Sequence, residues 1–221
     1  NWSLAQNLGG GRSDVFQAAG YGIKHFGPLY LSGMAAFGNS WFTTNRTAAF
    51  GDQLSATFTG QSYALRGEAG YRIAVLAMAG ITPYAAIQTQ WFHTPSYSEA
   101  DPTGGGFGLT FNTQTSNDTR TELGARADDL TTLNGMPLLL RGRLAWAHDS
   151  VSDAALGAVF QTLPGAAFTV NGAAVPANSA LVSAGAQLFL TEHWSVEGKF
   201  DGEFASTAQT YAGTGIVRYV W

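Results

Sequence analysis

The chain has 221 residues, no cysteine, 28 glycines, 13% aromatic residues, only 12% charged residues and a formal net charge of −4. Soluble domains carry about 25% charged residues, so so few charges at a mean hydropathy near zero exclude both a disordered polymer and an ordinary soluble enzyme, while the negative sign argues against nucleic acid as a partner. The longest uninterrupted apolar run, Ile73 to Ile81, is far short of the ~20 residues that a membrane-spanning helix needs, so any crossing of a bilayer is made by strands.

Hydrophobic alternation predicts nine strands, at about 13–26, 28–43, 54–73, 82–93, 118–129, 137–149, 180–190, 193–205 and 210–221. Residues 1–12 read as a loop entering the first, with Gly9, Gly10 and Gly11 as its tip. Successive side chains of a strand point to opposite faces. In the third strand Tyr63, Leu65, Ala69, Tyr71 and Ile73 share one face, and Arg66, Glu68 and Arg72 the other. In the fifth, Thr121, Leu123, Ala125 and Ala127 oppose Arg120, Glu122, Arg126 and Asp128; in the sixth, Leu138, Leu140, Leu144 and Trp146 oppose Arg141, Arg143 and Asp149. The eighth is cleanest: Trp194, Val196, Phe200 and Phe204 against Glu197, Lys199, Asp201 and Glu203. With Arg218, these polar faces hold eight basic and seven acidic residues, fifteen of the chain's 26 charges.

A soluble sandwich strand also alternates. The segments here are about ten residues long, the length that crosses a bilayer when tilted. A charged residue facing lipid at the midplane costs roughly 2–4 kcal/mol, so the charges are expected to face a hydrated interior as a ladder of ion pairs. The links alternate in length: a tight turn at Gly27, a loop from Thr44 to Gln53, a short link from Ala74 to Ile81, a long loop from Thr94 to Asn117, then Leu130 to Met136, Ser150 to Ser179, Thr191 to Glu192 and Ser206 to Gln209. Short turns at one rim and longer loops at the other are the pattern of outer-membrane barrels. The expected fold class is therefore all-β, a transmembrane antiparallel up-and-down β-barrel spanning 13–221, with the C-terminus in the periplasm and the long loops outside the cell. Both termini of such a barrel lie in the periplasm, which implies an odd number of further strands before Arg12.

Tyr71, Tyr84, Trp91, Phe92, Trp146, Trp194 and Trp221 fall near predicted strand ends, where aromatic girdles form at membrane interfaces. No catalytic constellation is expected: the four histidines are isolated in sequence, and Gly38, Asn39, Ser40, Trp41 and Phe42 lack the second glycine of a nucleophile elbow. His93, Glu99 and Asp101 offer a cation site in the long loop, but a solvated mobile loop explains them, and the nearby Gly104–Gly106, more cheaply. The carboxylates of the polar faces are explained by pairing with arginines rather than by proteolytic chemistry.

The ending AGTGIVRYVW, Ala212–Trp221, resembles the closing strand of bacterial outer-membrane barrels, which the barrel-assembly machinery recognises; Val217, Tyr219 and Trp221 would be that signal. Together with FGPLYLSG (Phe26–Gly33), TPYAAIQ (Thr82–Gln88), ELGAR (Glu122–Arg126), LRGRLAWAHD ending at Asp149, FQTLPGAAFTVNG (Phe160–Gly172) and FDGEF (Phe200–Phe204), it resembles the C-terminal translocator domain of autotransporters, the type V secretion proteins. The resemblance implies a twelve-stranded barrel of which about nine strands are visible here, in the outer membrane of a Gram-negative cell. It also implies a pore-threading segment, usually a helix, joined to an N-terminal passenger that is exported and displayed. The partners would be outer-membrane lipid, the assembly machinery and the passenger, with a monomeric barrel and no cofactor or metal. The alternative is a small passive porin or adhesin barrel without a passenger.

Overall fold

The computed structural model describes residues 1–5, 8–152, 155–172 and 176–221. Residues 6–7 of the predicted entry loop, and 153–154 and 173–175 of the predicted 150–179 loop, lie outside the described residues. The strands are β1 (Trp2–Ser3), β2 (Gly9–Phe26), β3 (Leu29–Thr47), β4 (Gln53–Tyr71), β5 (Ile73–Ala74), β6 (Ala79–Thr94), β7 (Tyr97–Ser98), β8 (Leu109–Phe111), β9 (Gln114–Leu133), β10 (Met136–Val151), β11 (Leu156–Phe160), β12 (Leu163–Val170), β13 (Asn178–Phe189), β14 (Trp194–Ala205) and β15 (Gln209–Tyr219). One 3-10 turn, Ala49–Gly51, joins β3 to β4.

The nine long strands pair antiparallel in the order β2-β3-β4-β6-β9-β10-β13-β14-β15, with β1 on β2 and β5 on β6. They correspond one to one with the nine predicted from alternation. Several reach further, while those predicted at 54–73, 180–190 and 210–221 end at Tyr71, Phe189 and Tyr219 and that at 193–205 begins at Trp194; β2 begins at Gly9 because Gly9–Gly11 pair with Arg46, Asn45 and Thr44 of β3, and Trp2 and Ser3 pair with Gly11 and Gly10 on the other side. Among the described residues β15 pairs only with β14, so the sheet is a half-barrel with open edges at β2 and β15.

Two connections are two-residue hairpin turns with the chemistry such turns require. Gly27 has φ 63° and precedes Pro28, placing the positive φ at the first central residue, as in a type II′ turn; Asn134 (φ 51°) and Gly135 (φ 81°) are both positive, as in a type I′ turn. The predicted link from Leu130 to Met136 is thereby corrected: β9 and β10 continue to Leu133 and Met136, which pair directly. Asn-Gly accepts positive φ at both positions, so the strands need no longer loop.

Among the described residues the long excursions at the opposite rim contain strands of their own. β7 and β8 from the β6–β9 connection join β11 and β12 from the β10–β13 connection in a second sheet, ordered β12-β11-β8-β7. This external sheet is fastened to the barrel wall by the Ser55–Ala100 bridge and by a run of rings. Phe42 stacks on Phe58 (centroids 5.1 Å apart), Phe58 on Tyr97 (3.9 Å) and Tyr97 on Phe111 (4.7 Å).

Burial is the reverse of a soluble domain. A cluster of buried side chains, Tyr84, Ala86, Ala145, Ala147 and Leu181, sits on the same face as the charged residues. On the other face Leu65, Ile87, Leu123, Leu144 and Val217 are more than half exposed. Large apolar side chains turned outward in a contiguous band need an apolar neighbour.

Candidate functional site

One face of the long sheet collects the ionised groups, and register shows why. Arg66 lies opposite Gln88, Gln88 opposite Arg120, Arg120 opposite Asp149, and Lys199 opposite Gly185 and Thr214. Directly opposed residues share a face. Thus Arg66, Glu68, Arg72, Arg120, Glu122, Arg126, Asp128, Arg141, Arg143, Asp149, Glu197, Lys199, Asp201, Glu203 and Arg218 come to one side although they are spread over five strands and, for Arg72, the link between β4 and β5.

Their contacts form two webs and several outlying pairs. In the first web Arg66 binds Glu122 (2.9 Å) and Glu68 (2.9 Å), Arg126 binds Glu68 (2.6 Å), and Arg143 binds Glu122 (2.7 Å). Two tyrosines complete it. Tyr30 donates to Glu68 at 2.7 Å and accepts from Arg126, while Tyr84 accepts from Arg143 at 2.6 Å and lies under the Arg126 guanidinium, 4.0 Å from ring centroid to Cζ. In the second web Arg120 grips Asp149 with two donors (2.6 and 2.9 Å) and Glu203 with two more (3.3 and 2.7 Å), and the Ser179 hydroxyl donates to Glu203 at 2.9 Å. Outside these webs, Arg141 reaches Glu197 at 3.3 Å, Lys199 binds Asp201 at 2.9 Å, and Arg72 pairs with Asp128 over Gly80, where a Cβ would meet the Arg72 guanidinium carbon at 2.6 Å. Arg218 has no ion-pair partner among the described residues.

These bonds also give the sense of curvature. β9 and β14 are three strand steps apart, about 14 Å on a flat sheet, yet Arg120 and Glu203 touch. Tyr30 on β3 and Arg126 on β9 are separated by three steps as well. The charged face is therefore concave, and the apolar face convex. On the long strands the convex face is charged only near strand ends, at Arg12 and Asp14, which pair with each other, and at Lys24 and Asp129.

The aromatic expectations divide. Tyr71 and Trp194 sit on the convex face at the short-turn end, and Trp91 and Trp146 on the same face toward the long-loop end. Tyr84 and Phe92 are corrected: they share parity with Gln88 and Gln90 and so point to the concave side, where Tyr84 is 5% exposed and Phe92 packs edge-on against Phe42. Trp221 follows β15 fully exposed, while Tyr219 packs on Trp194 with centroids 4.9 Å apart and Val217 lies opposite Val196.

His93, Glu99 and Asp101 do not converge. His93 bonds Thr115, Glu99 forms a bidentate pair with Arg46 (2.8 and 2.7 Å), and Asp101 accepts N–H bonds from Gly106 (2.8 Å) and Gly104 (2.7 Å). Those amides hold the Asp101 carboxyl below the usual carboxylate range. Asp52 accepts from Gly105 and Phe107, at 3.2 Å each, so two carboxylates order the glycine loop expected to be mobile. Burial in the ring stack, and then the Glu99 charge, push the Tyr97 hydroxyl up. The Arg46–Glu99 pair joins residues 53 apart, and no periodic signal in the sequence foretells it.

A family model, the autotransporter β-domain, matches residues 1–201. The chain belongs to the autotransporter β-domain family. A β-domain of this kind is an outer-membrane barrel that serves export of an N-terminal passenger. The chain is 25% identical over 200 residues to an extracellular serine protease of Serratia marcescens, covering 89% of this chain but 19% of that protein. It thus spans about a fifth of the length of the curated relative. The fold of this β-domain matches the translocator domain of the autotransporter NalP from Neisseria meningitidis with a TM-score of 0.68 at 13% identity, over 97% of this chain and 68% of that one. Against the transport unit of the autotransporter AIDA-I from Escherichia coli, the TM-score is 0.39 at 11% identity over 98% of this chain and 86% of that one.

Proposed function

We propose that this β-domain anchors its passenger in the outer membrane with the convex band in lipid and the concave charged face as the wall of the export lumen. The convex band carries the reading: between the rims it presents leucine, isoleucine, valine, alanine and glycine, with large side chains such as Leu144 65% exposed, and acyl chains are the solvent in which that arrangement is favourable. An unpaired strand edge is untenable in hydrocarbon, so the open edges at β2 and β15 are closed by further strands of the same barrel.

The short turns and Trp221 lie in the periplasm, and the external sheet lies outside the cell, following the length asymmetry of the connections. Val217, Tyr219 and Trp221 present the assembly signal, and Tyr71, Trp91, Trp146 and Trp194 anchor at the two interfaces. The concave wall is polar and nearly balanced in sign, so a passing chain finds little apolar surface to hold it. The barrel itself transports and performs no chemistry.

The test is display of the passenger by the intact autotransporter in Gram-negative cells. Protease added outside removes the passenger while the barrel stays in the outer-membrane fraction. Passenger that remains protected in intact cells, with the barrel correctly folded, overturns the reading.

A further inference from the structure

β3 and β4 are longer than a bilayer needs. Each has 19 residues, which rise about 48 Å at about 3.3 Å per residue and a tilt of about 40°, against an apolar band of about 25 Å. The convex side chains show where the surplus lies. From the short turns upward they are apolar as far as Phe37 on β3 and Tyr63 on β4; beyond these, Asn39, Trp41, Thr43 and Asn45 lie opposite Gln61, Thr59, Thr57 and Ser55. The polar stretch is thus an upward continuation of the lipid-facing surface.

Charge and bonding set this patch apart from an ordinary wet strand face. A surface in bulk water carries about 25–35% charged residues, whereas the convex charges beside the patch are Arg12 and Asp14, opposite Thr43 and Trp41, and they close on each other at 3.0 Å. The pair leaves no net positive charge to select a phosphate. The side chains of Thr43, Asn45, Thr57 and Thr59 are exposed and make no hydrogen bond among the described residues. Further round the convex face the polar side chains satisfy one another: His93 bonds Thr115, Thr119 bonds Thr89 and Asn117, and His148 bonds Asn178. Amid the free hydroxyls and amides stands Trp41, 46% exposed. The external sheet leaves it open, because its rings attach to Phe42 and Phe58 on the concave side.

Resting on the outer-membrane reading above, we propose that this patch binds the saccharide headgroups of the glycolipid that surrounds the barrel. Continuity selects the occupant. Lipids whose acyl chains cover the apolar residues of β3 and β4 carry their headgroups up against the next residues of the same strands. Hydroxyl and amide side chains both donate and accept, as sugar hydroxyls do, and the Trp41 ring offers a flat face to the C–H side of a pyranose. Sugars bridging the two strands brace the part of the wall that stands clear of the hydrocarbon.

The intact autotransporter is placed in nanodiscs of lipopolysaccharide with a complete core oligosaccharide, and in nanodiscs of lipid A, which keeps the acyl chains and phosphates but lacks the core sugars. Hydroxyl-radical oxidation of Trp41, read by mass spectrometry, is expected to be at least about threefold lower in the first, since a tethered sugar is at high effective concentration. Trp221 is the control. It is more exposed still, it lies at the opposite rim without such a patch among the described residues, and a disc presents sugar to both rims. The Thr43→Val/Thr57→Val variant keeps the strand preference while losing two hydroxyls, and in it the protection of Trp41 falls. Equal oxidation of Trp41 in the two discs, equal protection of Trp221, or undiminished protection in the folded double variant overturns the proposal. Should the double variant fail to fold, the contrast between Trp41 and Trp221 in the parent protein decides. The disc result holds whichever rim lies outside the cell, and passenger display tests the translocator reading separately.

Discussion

Arg120 on β9 holds Asp149 and Glu203 at once, and the 2.7 Å contact to Glu203 spans two intervening strands. The bond fixes the bend of the sheet as much as it neutralises charge. The Asp149 side chain is 2% exposed, whereas Glu203 is 36% exposed. Breaking a buried pair from one side leaves an uncompensated charge and costs about 3–5 kcal/mol, and an exposed pair is worth about 0–1 kcal/mol. Arg120→Leu is therefore expected to destabilise the domain by about 3 kcal/mol or more and Glu203→Gln by about 1 kcal/mol or less, in urea titrations of barrels folded in lipid vesicles.

The two faces predict opposite tolerances. Leu144→Arg puts a charge in the convex band and is expected to cost about 2–4 kcal/mol. Thr214→Arg, on the concave side of β15 opposite Lys199, is expected to cost less than about 1 kcal/mol, since a wet lumen accepts charge. The folding free energies of the two variants in vesicles are the measurement, and equal costs would contradict the assignment of faces.

The Asn134–Gly135 turn needs positive φ at both residues. Gly135→Val places a β-branched residue at φ 81°, and unfolding is expected to become easier by about 1–3 kcal/mol, while Gly165→Val, in β12 and free of neighbours within 4 Å, changes the same measurement little.

Asp101 gives a pH dependence with a definite sign. Its folded pKa lies below the ordinary value of about 3.9, so its carboxylate stabilises the glycine loop above that value, and this stability is lost as pH falls through the folded pKa. Amide exchange at Gly104 and Gly106, corrected for intrinsic rate, should be flat from neutral pH to about 5 and accelerate below about 3.9. Asp101→Asn should exchange fast throughout.

Trp221 is 97% exposed among the described residues, whereas Tyr219 packs on Trp194. Trp221→Ser should leave the unfolding midpoint of a refolded barrel unchanged and yet reduce the amount inserted in the outer membrane of cells. Normal surface yields of the variant would remove the assembly role.

Most of this architecture was legible because its dominant force has a period. Lipid on one side and water on the other write an alternation into every long strand, and Trp194–Ala205 carries it without a break. Where the period fades, the sequence misleads. Leu130, Thr131, Thr132 and Leu133 do not alternate, and the Asn-Gly that follows was the better signal for a two-residue hairpin. Tyr84 passed for an interfacial anchor since it stands near a strand end, although its parity with Gln88 and Gln90 places it among the arginines. The external sheet was not legible at all: Leu156–Val170 carries no charge to mark a wet face, and the Arg46–Glu99 pair and the Phe58–Tyr97–Phe111 stack join distant segments whose meeting no local pattern encodes.

The external sheet has a mechanical corollary. All of its observed fastenings, the Arg46–Glu99 pair, the Asp52 contacts, the Ser55–Ala100 bridge and the rings of Phe42 and Phe58, belong to the stretch from Arg46 to Phe58 or its near neighbour on β3, whereas β14 and β15 are joined by only Ser206–Ala208. Among the described residues the long-loop rim is consequently lopsided, a parapet over one flank and a low sill over the other.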